Sequence, residues 1–214
     1  MAFPPKPVYT KNAINKAGRT LANNKLTGEE YRQAASIVNA WRTCHAYPLN
    51  TFNTTLRHKT SAYPGAIVAQ RLKRLPTIID KLQRQPNMDL TRMQDIGGVR
   101  AIVSNLAWLN KLRAEYTEKG RFSHELFDVD DYIVAPKADG YRGIHLIFKY
   151  NNTLARNSKG NPEQYKGLFI EVQLRTLLQH EWATAVEAVS VMLNQHLKTQ
   201  RGNKKWLEFF EYMS

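Results

Sequence analysis

The chain has 214 residues, 43% of them hydrophobic and 23% charged, with 31 Lys+Arg against 18 Asp+Glu for a formal net charge of +13. That is enough apolar material for one substantial domain with a core, which excludes disorder throughout. Cys44 is the only cysteine, which excludes an internal disulfide and a cysteine-based zinc site. The start, Met1 to Pro7, lacks the apolar stretch of a signal peptide, and no run approaches the ~20 apolar residues of a membrane span, so a reducing, cytoplasmic, membrane-free setting is expected. The charge is uneven: residues 1–90 carry 14 Lys+Arg against 4 Asp+Glu, a net of +10, and residues 91–214 a net of +3. A cationic half attracts polyanions such as nucleic acid or nucleotide phosphates, although it also serves simply as a solubilising surface.

Residues 1–27 hold three early prolines and no clear period, and read as an arm or a loosely packed first helix. From Gly28, Tyr31, Ala34, Ala35, Val38, Trp41 and Arg42 recur at helical steps until Pro48 stops them. Ala66 to Gln85 gives a second helix, with Ile67, Leu72, Leu75, Ile78, Ile79 and Leu82 on one face and cations on the other. The period then changes. Val99 to Val103, Asp131 to Ala135, Ile144 to Phe148 and Leu168 to Leu174 are short, β-branched and aromatic, as strands are, with a helix over Leu106 to Lys119 between the first two. Asn151 to Lys166, rich in Asn, Gly and Ser, reads as an exposed connection. A helical pattern returns from Arg175 through Leu197, followed after Gly202 by an aromatic stretch of Trp206, Leu207, Phe209, Phe210 and Tyr212.

Several residues along this order bear chemistry. Asp95 precedes the double glycine of Met93-Gln94-Asp95-Ile96-Gly97-Gly98-Val99-Arg100. Glu171 stands in an apolar strand, where a carboxylate is costly without a partner. Two carboxylates at a sheet edge would make a hard oxygen site suited to Mg²⁺; taken singly, Asp95 reads as a helix cap and Glu171 as a solvent-facing strand residue. The run from Tyr132 to His145 passes from a strand through a Pro-Lys-x-x-Gly turn into another strand. It offers Lys137 to phosphate and Tyr141 as a stacking surface for a base, or else is an ordinary hairpin. On the expected second helix, Arg71, Arg74 and Lys81 share a broad face with Lys73 at its side, fit for a triphosphate or merely solvated. No G-x-x-x-x-G-K-[ST] or G-x-G-x-x-G phosphate loop occurs.

Taken together, Arg71-Leu72-Lys73 with Lys81, then Asp95-Ile96-Gly97-Gly98-Val99-Arg100, then Asp131-Tyr132-Ile133 with Pro136-Lys137, Gly140-Tyr141 and His145, then Glu171-Val172-Gln173-Leu174-Arg175-Thr176, resemble the synthetase domain of the RelA/SpoT family over roughly residues 65–195. The resemblance implies an α+β fold, a mixed β-sheet flanked by helices as in nucleotidyltransferases. Its implied boundaries are a basic arm and helical extension over 1–64, the synthetase domain over 65–197, and a C-terminal helix over 198–214. It implies transfer of the β,γ-pyrophosphate of ATP to a ribose 3′-hydroxyl: that of GDP or GTP, giving (p)ppGpp, that of adenine nucleotides, or, in the toxic branch of the small alarmone synthetases, the 3′-CCA end of tRNA.

The residue roles implied by the resemblance are Asp95 and Glu171 as Mg²⁺ ligands, with Glu171 as general base; Arg71, Lys73, Arg74, Lys81 and Arg100 on the ATP side; and Lys137, Asp139, Tyr141, Arg142, His145, Gln173 and Arg175 on the acceptor side. Alarmone makers typically read Asn-Gly-Tyr-Gln-Ser-Leu-His where this chain has Asp139-Gly140-Tyr141-Arg142-Gly143-Ile144-His145. An ionised Asp139 only accepts hydrogen bonds, which alters guanine readout. That variant and the Trp41-Arg42-x-x-His45 helix are similar to the toxic branch, so the resemblance implies tRNA as acceptor first and a cognate antitoxin as partner, with alarmone synthesis from GDP or GTP second. A nucleic-acid-binding domain that kept the fold and lost the reaction is the reading from another class.

Overall fold

A computed structural model describes residues 3–23, 28–118, 122–151, 162–194 and 202–214. Three helices come first: α1 (Lys11–Ala22), α2 (Glu29–Thr43) and α3 (Ala46–Thr60). Thr10 caps α1, its Oγ1 accepting from the Ala13 amide at 3.2 Å, and Glu29 and Glu30 favour the start of α2 by opposing its dipole. Pro48 does not end the second helical stretch as expected. α2 has already stopped at Thr43, and Pro48 lies in the first turn of α3, where the missing N–H costs nothing.

The expected helix over Ala66 to Gln85 is corrected to a strand and a helix, β1 (Ile67–Leu72) and α4 (Leu75–Arg84). Arg71 is therefore on a strand, Lys73 in the connection, Arg74 at the N-cap of α4 and Lys81 on α4, so these cations share no helical face. The apolar spacing fits a helix, but β1 gains a full antiparallel ladder with the next strand, from Ile67↔Ile102 to Leu72↔Gly97, a tertiary pairing that overrides local period.

A 3₁₀ turn (Leu90–Arg92) leads to β2 (Gly97–Val103), α5 (Leu106–Thr117), β3 (Glu125–Asp131), β4 (Ile144–Lys149), a second 3₁₀ turn (Pro162–Tyr165), β5 (Phe169–Thr176), α6 (Leu177–Met192) and α7 (Lys204–Tyr212). β3 ends where a strand was expected to begin. The Asp131 carboxylate accepts from the Ile133 and Val134 amides, both at 3.1 Å, and this local bonding turns the chain out of the sheet. α6 starts at Leu177, not at Arg175, because Thr176 and Gln179 form a reciprocal capping box there. Of the expected connection Asn151 to Lys166, residues 152–161 lie outside the described residues, as do Lys119 and residues 195–197 of two expected helices.

The sheet runs β1-β2-β5-β4-β3, mixed, with only β2 and β5 parallel. The α+β expectation of a mixed sheet flanked by helices holds. One face is apolar: Val99, Ala101, Ile144, Leu146, Ile170, Val172 and Leu174 join Ile14, Val38, Trp41, Phe52 and Leu109 in one core, so α1 to α3 share it with the sheet. α7 packs on α6 through a second small cluster around Val186 and Phe210. Among the described residues no helix is long and apolar enough to cross a membrane. Cys44 is wholly buried, and burial pushes its thiol up to about 12, out of reach of thiolate chemistry at neutral pH.

Candidate active site

The other sheet face is polar, and the period of two along each strand explains why. On β5, Glu171, Gln173 and Arg175 alternate with Val172 and Leu174, and each neighbouring strand sets a partner beside them: Gly98↔Glu171 and Arg100↔Gln173 from β2, His145↔Gln173 from β4. Arg71 on β1 lies opposite Gly98. Asp95 stands just before β2, and the cleft of about 320 Å³ that results is lined by Arg71, Asp95, Arg100, Glu171, Gln173 and Glu187, among others. The double glycine has a steric role as well: a Cβ at Gly97 would lie 2.8 Å from Ile170 Cδ1, so a larger residue there would push the buried Ile170 side chain aside.

Each carboxylate is fully engaged. Lys73 Nζ donates to Asp95 Oδ2 at 2.7 Å and Lys81 Nζ to Oδ1 at 3.0 Å. Burial pushes the Asp95 carboxyl up, but Lys81 and Lys73 outweigh it and hold the group below its ordinary value. Burial likewise pushes Glu171 up, and the His145 contact outweighs it, assisted by Gln173, so Glu171 is also held below its ordinary value despite repulsion from Asp95. His145 Nδ1 lies 2.9 Å from Glu171 Oε1, and Gln173 Nε2 donates to Oε2 at 2.6 Å.

These contacts close a ring. Arg175 Nε donates to Tyr141 Oη at 2.9 Å, and Tyr141 Oη lies 2.6 Å from His145 Nε2. Gln173 Oε1 accepts from Arg100 Nε at 3.2 Å and from an Arg175 terminal nitrogen at 3.4 Å. Glu171, held ionised, only accepts, so His145 Nδ1–H donates to it, while Tyr141 Oη holds the other ring nitrogen and also accepts from Arg175.

The expected site residues are thus partly gathered. Arg71, Asp95, Arg100, Glu171 and Gln173 line the cleft, Lys73 and Lys81 reach it through Asp95, and His145, Tyr141 and Arg175 reach it through the ring. Tyr141 is only 8% exposed. The Arg175 guanidinium carbon sits 4.7 Å from its ring centroid, Lys137 Nζ 5.3 Å from it, and Tyr132 meets it edge-on, so a base would stack on it only after a cation moved aside. Asp139 turns inward: its Oδ1 accepts from the Tyr141 amide at 3.0 Å and shapes the turn. Arg142 lines a different cavity, and Arg74 serves as the α4 N-cap. Trp41 and His45 are core residues, their rings edge-on at 5.4 Å beneath β2, with His45 1% exposed and lowered to about 4, first by burial.

Sequence reasoning missed Glu187 and His180 on α6 and Tyr132, over whose ring Lys137 Nζ sits at 4.2 Å. His180 Nδ1 is buried with no hydrogen-bond partner, and burial followed by the charges of Arg100 and Arg175 lowers its pKa. Only the docking of α6 across the polar face brings these two α6 residues in, and no local pattern marks them.

The donor set suits Mg²⁺. Two ionised carboxylates meet at one cleft, and among the described residues no group of three ligating side chains forms an all-protein cage. Mg²⁺ typically takes one or two carboxylates and fills its shell with water and substrate phosphates.

A family model described as a region found in RelA / SpoT proteins matches residues 70–193. The chain is 27% identical over 156 residues to GTP pyrophosphokinase YjbM of Bacillus subtilis, covering 72% of this chain and 66% of that protein. It is 28% identical over 195 residues to a GTP pyrophosphokinase of Haemophilus influenzae, covering 87% of this chain and 22% of that one. The chain therefore spans less than two thirds of these relatives' length. Among solved structures it is similar to small alarmone synthetase 2 of Bacillus subtilis (TM-score 0.62, 22% identity, 79% of this chain and 86% of that one) and to small alarmone synthetase 1 of the same organism bound to its product pppGpp (TM-score 0.63, 21% identity, 79% and 84%).

Proposed function

The chain belongs to the RelA/SpoT family, and from that membership we propose that it transfers the β,γ-pyrophosphate of ATP to a ribose 3′-hydroxyl, that of the 3′-CCA end of tRNA. The observation that carries the reaction is the meeting of Asp95 and Glu171 in one cleft whose cations, Arg71 and Arg100, suit a triphosphate. Lys73 and Lys81 keep Asp95 ionised, and on nucleotide entry their ammonium groups are positioned to exchange a carboxylate for phosphate oxygens. Asp95 and Glu171 would hold Mg²⁺, which would neutralise charge on the ATP phosphates.

Glu171 accepts the proton of the acceptor 3′-hydroxyl, the freed oxygen attacks the β-phosphorus of ATP, and the bond from that phosphorus to the α,β-bridging oxygen breaks to release AMP. His145, held by Tyr141, fixes the Glu171 carboxylate for that transfer. Support for tRNA comes from the cationic N-terminal half, where Lys11 and Lys16 are exposed on α1, and from an acceptor loop whose Asp139 is spent on its own turn. In this reading the protein stops translation as a toxin and is neutralised by a cognate antitoxin in the cytoplasm. The second reading, GDP or GTP as acceptor and (p)ppGpp as product, is favoured by the relatives named GTP pyrophosphokinases. Incubation with γ-³²P-ATP and either tRNA or GDP and GTP decides between them by which acceptor is labelled. Labelling of neither, with a folded protein, overturns both.

A further inference from the structure

A larger cavity, about 570 Å³, borders the loop at Gly140 and Arg142 and shares no lining residue with the carboxylate cleft. Its walls come from the start of α5 (Ser104, Leu106), the first turns of α6 (Leu178, Trp182), the end of α7 (Met213) and Arg142. Arg142 is the only charged side chain among its lining residues, and its Nε is buried with no hydrogen-bond partner. A guanidinium donor held out of water with nothing to bond is expensive unless an acceptor arrives. Trp182 is a fixed wall, its Nε1 donating to the Phe210 carbonyl at 2.9 Å. Tyr141 and Arg142 are chain neighbours with different surroundings: Tyr141 joins the ring at Glu171, and Arg142 lines this cavity.

We propose that this cavity is a second small-molecule site for a ligand with a flat aromatic body and one terminal phosphate, the chemistry of a nucleoside monophosphate. The volume falls in the range of small-ligand pockets, about 300–1,000 Å³, and the walls combine apolar and aromatic surface with one convergent cation, as such pockets do. Arg142 takes the phosphate through its fork of donors, and Trp182, Leu106 and Met213 enclose the ring. The starts of α5 and α6 border the same space, and the positive ends of their dipoles favour an anion there. The site also touches the acceptor loop directly. Gly140 has φ +84°, and a Cβ there would lie 2.9 Å from the Ser214 side chain, so the end of α7 rests on the loop that carries Tyr141, and occupancy beneath it is felt at that residue.

The test is equilibrium binding by calorimetry with AMP and GMP, with adenosine, guanosine and inorganic phosphate as partial probes, in the presence of saturating α,β-methylene-ATP. Leu178 is 82% exposed at the cavity mouth, so a charge there is tolerated by the fold. Leu178→Lys should tighten monophosphate binding and Leu178→Glu weaken it, each by about three- to tenfold, and Arg142→Met should weaken it by at least about tenfold. Arg100→Glu, which damages the other cleft, should change it by less than about twofold. No saturable binding at about 1 mM monophosphate, indifference to both Leu178 changes, or loss in Arg100→Glu overturns the proposal. Inorganic phosphate binding as tightly as AMP overturns the aromatic part, and adenosine binding as tightly overturns the phosphate part. Because the readout is binding, failure of pyrophosphate transfer leaves the test intact.

Discussion

Replacing Tyr141 by Phe keeps the ring and removes one oxygen, which separates two roles for this residue. The lost Oη accepts from the charged Arg175 Nε at 2.9 Å and meets His145 Nε2 at 2.6 Å in a buried setting. A buried hydrogen bond to a charged group contributes about 1.5–3 kcal/mol and a neutral one about 0.5–1.5 kcal/mol, so the variant should lose roughly 2–4 kcal/mol of stability. For a chain of this size that lowers Tm by about 5–15 °C, measurable by calorimetry. With His145 no longer held at Nε2, Glu171 loses its fixed orientation, and kcat for transfer of label from γ-³²P-ATP should fall about ten- to a hundredfold. The acceptor KM should move less than about threefold, since a phenyl ring stacks as well as a phenol. Tyr141→Ala, which removes ring and hydroxyl together, should lose both kcat and acceptor affinity. If Tyr141→Phe keeps full kcat while Tyr141→Ala raises acceptor KM, the hydroxyl has no positioning role and stacking alone explains the residue.

Four further outcomes are expected. Asp95→Asn and Glu171→Gln should each lower label transfer by about two orders of magnitude or more with a folded far-ultraviolet spectrum, and activity near wild type in either would remove the carboxylate pair from the reaction. His45 is held neutral, its pKa lowered from 6.5 to about 4, so between those values the unfolded chain binds the extra proton. Stability should therefore be full above pH 6.5 and fall by about 3 kcal/mol as pH drops toward 4, and His45→Phe should flatten that slope in urea titrations. Cys44, with its thiol raised to about 12, should resist a disulfide reagent in the folded protein and react within seconds to minutes in guanidinium, whereas fast native labelling would contradict its burial. If tRNA is the acceptor, Lys11→Glu with Lys16→Glu should weaken its apparent affinity and reduce the salt slope by about two, while ATP binding stays unchanged; an unaltered slope would take α1 out of the tRNA contact.

The order of chemical groups along the chain was legible in the sequence because each depends on local pattern. Glu171-x-Gln173-x-Arg175 places three polar groups on one side of any strand whatever that strand pairs with, and Asp95 stands just before the double glycine that opens a strand. Composition alone gave a core large enough for one domain, and the β-branched runs gave three of the five strands, whereas the run Asp131 to Ala135 begins where β3 ends. What the sequence could not give is anything decided across the chain. Ile67 to Leu72 carries apolar spacing that suits a helix, and only the ladder offered by β2 makes it a strand, moving Arg71 from a helix face to the edge of the cleft. Tyr141 looks like an exposed platform until β4 and β5 bring His145 and Arg175 to its hydroxyl. Arg142 looks like its partner in the same task until the fold sets it in a separate cavity. Trp41 and His45 enter the sequence reading as a motif similar to the toxic branch, and packing under β2 makes them core residues. Local bonding fixes which groups a segment can present, while strand register and helix docking fix which of them meet, because those energies come from pairings between residues far apart in the chain.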